Sequence, residues 1–237
     1  EVIELDVIRR RIRPVWDLLG LWRLTRYLRN AGYAVVHTHT SKAGFVGRVA
    51  ARWAGVPAIV HTVHGFAFHE RSGALEKALY SSLERLAARF CDRIITVSRF
   101  HYEWALRLGI AQEPKLACVA NGIQEGRLRP QLGRAAMRVR WGCGRDEVVL
   151  ISLGRLAAQK GLEDLISAMP IVVKAVGPKV RLLLAGEGPL RGKLHRQARD
   201  LGVQDKITFV GFAGSVGDLL AGADIVVLPS LWEGLSI

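Results

Sequence analysis

Apolar positions along the chain follow two alternating rhythms. Short β-branched runs, YAVVH (33–37), AIVHT (58–62), RIITV (93–97) and KLACV (115–119), predict strands. Between them SKAGFVGRVAARWAG (41–55), ALEKALYSSLERLAARF (74–90) and RFHYEWALRLG (99–109) predict helices. In the second of these, Leu75, Leu79, Leu83 and Leu86 recur every three or four residues. The rhythm pauses over 121–146, a stretch rich in glycine and arginine with no clear strand, and then resumes. EVVLISLG (147–154), VRLLLAG (180–186), KITFVGF (206–212) and DIVVLPS (224–230) predict strands, separated by helices over 162–176, 190–201 and about 215–222.

Strand and helix alternating in this way predict an α/β fold of two Rossmann-like parallel-sheet domains facing a central cleft. The expected boundaries are 1–125, a linker over 126–146, and 147–237. In such sheets ligands bind outside the carboxyl ends of the strands, so the loops that follow the strands are where chemistry is expected.

Composition narrows the class. The 237 residues are half hydrophobic and 23% charged, which fits a globular chain, and no apolar run reaches the ~20 residues of a membrane span. Cys91, Cys118 and Cys143 make neither a disulfide framework nor a metal-type pair, so a reducing cytoplasmic setting is expected. The net charge of +13 is uneven: residues 1–130 hold 20 basic and 11 acidic residues, and residues 9–29 carry seven arginines against Asp17. That field suits a polyanion. With Trp16, Trp22 and Tyr27 interleaved, residues 9–30 read either as an amphipathic membrane-surface helix or as a packed crossover helix with a basic exterior. No nucleic-acid-binding module accompanies the charge.

Four loops hold candidate chemistry. In GRLAAQKG (154–161), Arg155 and Lys160 precede a helix start, a place suited to a diphosphate, although two basic residues in a solvated loop would look the same. In GEGPLRG (186–192), Gly186 and Gly188 would let a ligand approach the backbone, but Pro189 and Leu190 stand where a dinucleotide fingerprint has its third glycine. His37, His39, His61, His64 and His69 cluster, and because His37, His61 and His64 lie at strand ends they suit polar lining of a cleft better than zinc. In THTSKAG (38–44), Ser41 is placed as a helix N-cap.

In their order, HTHTSKAGFVGRVAARWAGVPAIVHTVHGFAFHE (37–70), CDRIITVS (91–98), ANGI (120–123), LGRLAAQKG (153–161), AGEGPLRGKL (185–194), ITFVGF (207–212) and DIVVLPSLWEGLS (224–236) resemble the retaining GT-B glycosyltransferases of family 4. These are bacterial enzymes that build exopolysaccharide, capsule or lipid-linked glycans. The resemblance implies sugar transfer from a nucleotide sugar, UDP- or GDP-linked, to a lipid-linked, phosphorylated or glycan acceptor, with no further cofactor. It implies a peripheral place on the inner face of the cell membrane, with an anionic membrane surface as a partner. It also implies that both domains are incomplete: the family's first strand and glycine-rich loop are missing from the first, and in the second Glu233 would open an E-x7-E motif whose second glutamate lies beyond Ile237.

Carried onto this chain, the resemblance makes His64, Arg155, Lys160 and Glu233 catalytic. Gly154, Gly186, Glu187, Gly188, Gly211, Phe212, Gly234 and Leu235 would bind the donor, and His39, Ser41 and Lys42 the acceptor. No metal is expected, because the sequence has no Asp-x-Asp and the two cations would serve as counterions. Alternative readings are a non-catalytic membrane-surface or polyanion-binding module of the same ancestry, and a sugar-nucleotide 2-epimerase.

Overall fold

The computed structural model describes residues 2–8, 13–211 and 215–235. Two compact units form, Glu1–Gly122 with Gly234–Ile237, and Ile123–Glu233.

The first unit begins with helix α1 (Pro14–Ala31), which has proline at its first turn and Gly32 in the left-handed conformation at its end. Strands β1 (Val35–His39), β2 (Ala58–Val63), β3 (Arg93–Thr96) and β4 (Leu116–Cys118) form a wholly parallel sheet in chain order. Helices α2 (Ser41–Ala54), α3 (Ala74–Ala88) and α4 (Arg99–Arg107) connect them. Ile59, Val63, Phe68, Ile94, Trp104 and Ala105 are among the residues that fill the core. Strand β1 starts two residues later than the apolar run predicts, because Gly32 and the residues after it are spent turning the chain out of α1.

Helix α3 corrects a simpler expectation. Its leucine stripe is present, but Leu75 is 85% exposed, and Leu79, Leu83 and Leu86 are exposed as well. The face turned inward carries Ser81, Glu84, Ala87 and Ala88. Small side chains bring the helix close, and the Glu84 carboxylate accepts a hydrogen bond from Arg48 Nη2 of α2 at 3.0 Å. Arg48 is fully buried and also donates from Nε to the Gly44 carbonyl.

The second unit holds β5 (Val148–Leu153), β6 (Val180–Ala185), β7 (Ile207–Gly211) and β8 (Ile225–Val226), parallel in the order β7-β6-β5-β8. The order reverses at β5, since β6 and β8 flank it. Helices α6 (Leu162–Val176) and α7 (Arg191–Asp200) close one core around Leu182, Leu184, Ile166 and Met169. On the other face Val149, Ile151 and Leu183 pack with α8 (Val216–Gly222) and with α5 (Arg134–Arg140).

Helix α5 lies within the glycine- and arginine-rich stretch 126–146 and is an integral part of this second core. Met137 and Trp141 are buried, and Gly222 lets the Trp141 ring sit where a Cβ would stand 2.4 Å away. Arg138 donates to the carbonyls of Gly144, Arg145, Glu147 and Gly222 and to the Asp224 carboxylate. Asp224 also pairs with Arg134 and accepts from the Val149 amide at 2.7 Å.

Candidate functional site

In the second unit the loops after β5 and β6 are laced together by backbone. The Leu156 amide donates to the Glu187 carbonyl, and the Leu190 amide donates to the Leu156 carbonyl, each at 3.0 Å. Two glycines permit this. A Cβ on Gly186 (φ +146°) would meet the Gly154 carbonyl oxygen at 2.0 Å, and one on Gly188 would meet the Leu156 carbonyl oxygen at 2.3 Å. The glycines of GEGPLRG thus serve the approach of one loop to the other.

The β5 loop carries Arg155, Gln159 and Lys160 to the start of α6. Lys160 Nζ donates to Glu233 Oε1 at 2.6 Å, while Gln159 Nε2 reaches Glu233 Oε2 at 3.2 Å and the Trp232 carbonyl at 3.1 Å. The Leu231 amide returns a bond to the Gln159 carbonyl at 2.8 Å. Lys160 and Glu233 therefore meet across 73 positions of sequence, each about one-fifth exposed. The Lys160 stem lies over Gly154, where a Cβ would stand 3.2 Å from Cε. Arg155 is exposed and makes no ion pair among the described residues. The outcome is an electropositive loop, with one cation free and one fixed, beside a helix start.

Glu187 pairs with Arg191, one turn on, and its Oε1 lies 3.1 Å from where a Cβ of Gly211 (φ +69°) would be. Gly234 and Leu235 continue from Glu233, half-buried. Phe212, expected to bind the donor, lies outside the described residues.

In the first unit, the register Thr38↔His61 and His39↔Thr62 sets two histidine-bearing strand ends side by side. His39 Nδ1 and His64 Nε2 are 3.0 Å apart with their rings stacked, and His37 lies 4.4 Å from His39, centroid to centroid. Burial, then the neighbouring His37 and His64, lower the His39 pKa. Among the described residues no group of three or more His, Cys, Asp or Glu is placed to hold a metal ion.

The turn out of β1 changes one expectation. Ser41 is the first residue of α2 and not its N-cap: Thr40 caps the helix through its carbonyl, which accepts from the Gly44 amide, and gives no side-chain bond. Thr40 adopts φ 62°, the one positive value at a non-glycine among the described residues. Lys42 is not free, since its Nζ lies 2.7 Å from Asp17 of α1. Asp17 also accepts from the Arg13 amide at 3.0 Å, and Lys42 followed by Arg13 lowers its pKa.

His61 supports this corner from beneath. It is 2% exposed, and Nδ1 lies 2.9 Å from the Thr38 hydroxyl. Gly44 leaves room for its ring, where a Cβ would stand 2.4 Å from Cε1. Burial, reinforced by the Arg48 charge, pushes the His61 pKa down to about 3. An unfolded chain takes this proton below about 6.5, while the folded chain refuses it until about 3, so stability is lost as pH falls through that window. Going from about pH 7.5 to about pH 5 should cost about 2 kcal/mol through His61. Urea midpoints at both pH values, with His61→Asn showing a flatter dependence, test this; a midpoint that ignores pH in the unmodified chain refutes it.

Comparison with known proteins gives a concordant result. Residues 1–122 match the family described as glycosyl transferase 4-like domain, and residues 134–237 match glycosyl transferases group 1. The chain is 32% identical over 231 residues to the UDP-Gal:alpha-D-GlcNAc-diphosphoundecaprenol alpha-1,3-galactosyltransferase of Escherichia coli, covering 96% of this chain and 60% of that one. It is 28% identical to the putative glycosyltransferase EpsD of Bacillus subtilis, covering 97% and 61% respectively. Thus the chain spans about three fifths of the length of these curated relatives. Among solved structures it is similar to Anabaena Alr3699/HepE in complex with UDP and glucose (TM-score 0.76, 21% identity, 95% of this chain and 60% of that one). It is also similar to sucrose-phosphate synthase from Thermosynechococcus elongatus (TM-score 0.79, 22% identity, 99% and 61%). The two parallel four-stranded sheets are those of the GT-B fold.

Proposed function

Because the chain belongs to the glycosyl transferase 4-like domain family, we propose that it transfers a sugar from a nucleotide sugar to an acceptor, with retention of configuration. The observation that carries this reading is the Lys160–Glu233–Gln159 cluster beside the exposed Arg155. Sugar transfer leaves a nucleoside diphosphate, so negative charge grows on the bridging oxygen as the glycosidic bond breaks. Arg155 and Lys160 are the counterions for that charge and take the part that a metal would otherwise play. Glu233 orients Lys160 and offers acceptor oxygens to sugar hydroxyls, while Gly154 leaves room for the Lys160 stem and Gly186 and Gly188 let the two loops close on each other.

The second unit is the donor-binding one in this reading, and Gly211 and the residues that follow it meet the base. The donor is a UDP- or GDP-sugar, with no further cofactor. Anabaena HepE was solved with UDP and glucose, and the Escherichia coli relative is named for a UDP-galactose donor and a diphosphoundecaprenol-linked acceptor. The first unit meets the acceptor, which is lipid-linked, through His39, Ser41 and Lys42, and its His64 contacts the transferred sugar. The protein works at the inner membrane surface as a peripheral protein, and no helix among the described residues is long and apolar enough to cross a membrane.

A thermal-shift panel of UDP, GDP and ADP tests the donor half directly. A nucleotide at 100 times its dissociation constant adds about 2.7 kcal/mol, a rise of about 5–10 °C for a chain of this size. No rise with UDP or GDP would overturn the reading. Conversion of the donor into an isomeric nucleotide sugar without any acceptor would replace transfer by epimerisation.

A further inference from the structure

Helix α1 packs inward through Leu21, Leu24, Thr25 and Leu28, and its Gly20 is covered by the backbone of Val7. Its outward stripe follows the three- and four-residue spacing of one helical face: Val15, Leu19, Trp22, Arg26 and Arg29. The stripe changes character along its length. Val15 is 71% exposed, Leu19 44% and Trp22 59%, flanked by the exposed Trp16 and Leu18. From Arg23 onward the exposed side chains are mainly guanidinium groups.

Where α1 meets the end of α2, a surface notch of about 640 Å³ is lined by Trp22, Thr25, Arg26, Arg29, Asn30 and Trp53. The Arg26 guanidinium lies 5.8 Å over the Trp22 ring, and Arg29 Nη2 donates to the Trp53 carbonyl at 2.7 Å. Trp53 itself is half exposed. None of Arg23, Arg26 and Arg29 has a carboxylate partner among the described residues, while the helix's own Asp17 is committed to Lys42 and the Arg13 amide.

We propose that this stripe and notch form a docking surface for an anionic lipid bilayer, with Trp22 and Trp53 entering the headgroup layer beside Arg23, Arg26 and Arg29. The chemistry selects this occupant in two ways. Unpaired guanidinium groups next to tryptophan suit the boundary where phosphate headgroups meet acyl chains, since an indole is apolar in body and polar at its N–H. Aliphatic Val15, Leu18 and Leu19 beside them find acyl chains in a bilayer but only solvated phosphodiester on a nucleic acid. The chain as a whole supplies the attraction, with a net charge of +13 concentrated in its first half. The proposal deepens the membrane-surface part of the function above by naming the face that makes contact. It is read without nucleotide, so failure of sugar transfer and failure of docking register separately.

Vesicle flotation tests it, using phosphatidylcholine alone and phosphatidylcholine with phosphatidylglycerol, at low and at high salt. Binding is expected only with the anionic lipid and is expected to fall with salt. Arg23→Gln/Arg26→Gln should lower the partition coefficient about thirtyfold, taking the usual contribution of each arginine near an anionic surface. Trp22→Ser/Trp53→Ser should weaken binding at least tenfold, and brominated lipid should quench tryptophan emission in the unmodified chain and much less in this variant. Both pairs lie on the exterior, and an unchanged thermal midpoint will show that each variant is folded. Equal binding to neutral and anionic vesicles overturns the proposal, as does binding that survives either pair of substitutions. Salt-sensitive binding to a nucleic-acid duplex without vesicle binding would overturn it in favour of a general polyanion surface.

Discussion

The Lys160→Ala variant should turn over a nucleotide sugar about 10²–10³-fold more slowly than the unmodified chain, the usual cost of removing one electrostatic stabiliser of a developing charge. Two effects act together. The ammonium that would face the leaving diphosphate is gone, and among the described residues Glu233 keeps the Gln159 amide alone, so a carboxylate with less compensation now stands beside an anionic ligand. Arg155 remains and leaves residual activity. Lys160→Arg should restore only part of the rate, because the Lys160 stem runs against Gly154 and a longer, forked head must sit differently. The nucleotide-free melting temperature should change little, since the Lys160–Glu233 pair is partly solvated. Initial rates and UDP titration calorimetry on both variants are the measurement. A Lys160→Ala protein that binds UDP and turns over as before would remove this lysine from the mechanism, whatever its family.

Glu84→Leu should destabilise the first unit by about 3–5 kcal/mol, the range for stripping the partner from a buried ion pair. Arg48 is wholly buried, and its remaining partner would be the Gly44 carbonyl through Nε, since Nη1 already lacks a hydrogen bond. The cost comes from an abandoned guanidinium and not from the value of the pair itself. The combined Arg48→Met/Glu84→Leu variant should therefore recover most of the loss, because apolar side chains of similar volume replace a pair whose attraction is largely offset by desolvation. Urea denaturation of both single variants and the double variant gives the coupling energy directly. If Glu84→Leu loses under about 1 kcal/mol, water reaches Arg48 and the burial argument fails.

The alternation of strands and helices could be read closely because each element carries its own period. The central strands β5 and β6 are mainly apolar, as burial on both faces requires, and fall within one residue of their expected bounds. What escaped has a shared cause: it depends on residues far apart in the chain. The period of α3 announced a helix, yet its inward face is the one bearing Glu84, and only Arg48, 36 positions earlier, makes that face the buried one. Helix α5 hides in an arginine-rich stretch because Arg138 is satisfied by carbonyls up to 84 positions away and by Asp224.

The candidate site divides in the same way. Arg155, Lys160 and Glu233 carry a motif, and the structure unites the last two. Gln159, which holds both Glu233 and the Trp232 carbonyl, was overlooked; its only signal was an amide side chain next to Lys160 at a helix start. Ser41 lost its capping role because the turn out of β1 places Thr40, one residue earlier, with its carbonyl at the helix mouth.

The Asp224 clamp also has a bearing on synthesis. Its carboxylate gathers Arg134, Arg138 and the Val149 amide, so α5 and the first strand of the second unit are fastened by a residue made 75 positions after Val149. At ~5–20 residues per second, a ribosome needs about 4–15 s to deliver it. Through that interval α5 and β5 lack their electrostatic anchor, and the apolar faces of Met137, Trp141 and Val149 are open to whatever chaperone waits at the exit tunnel.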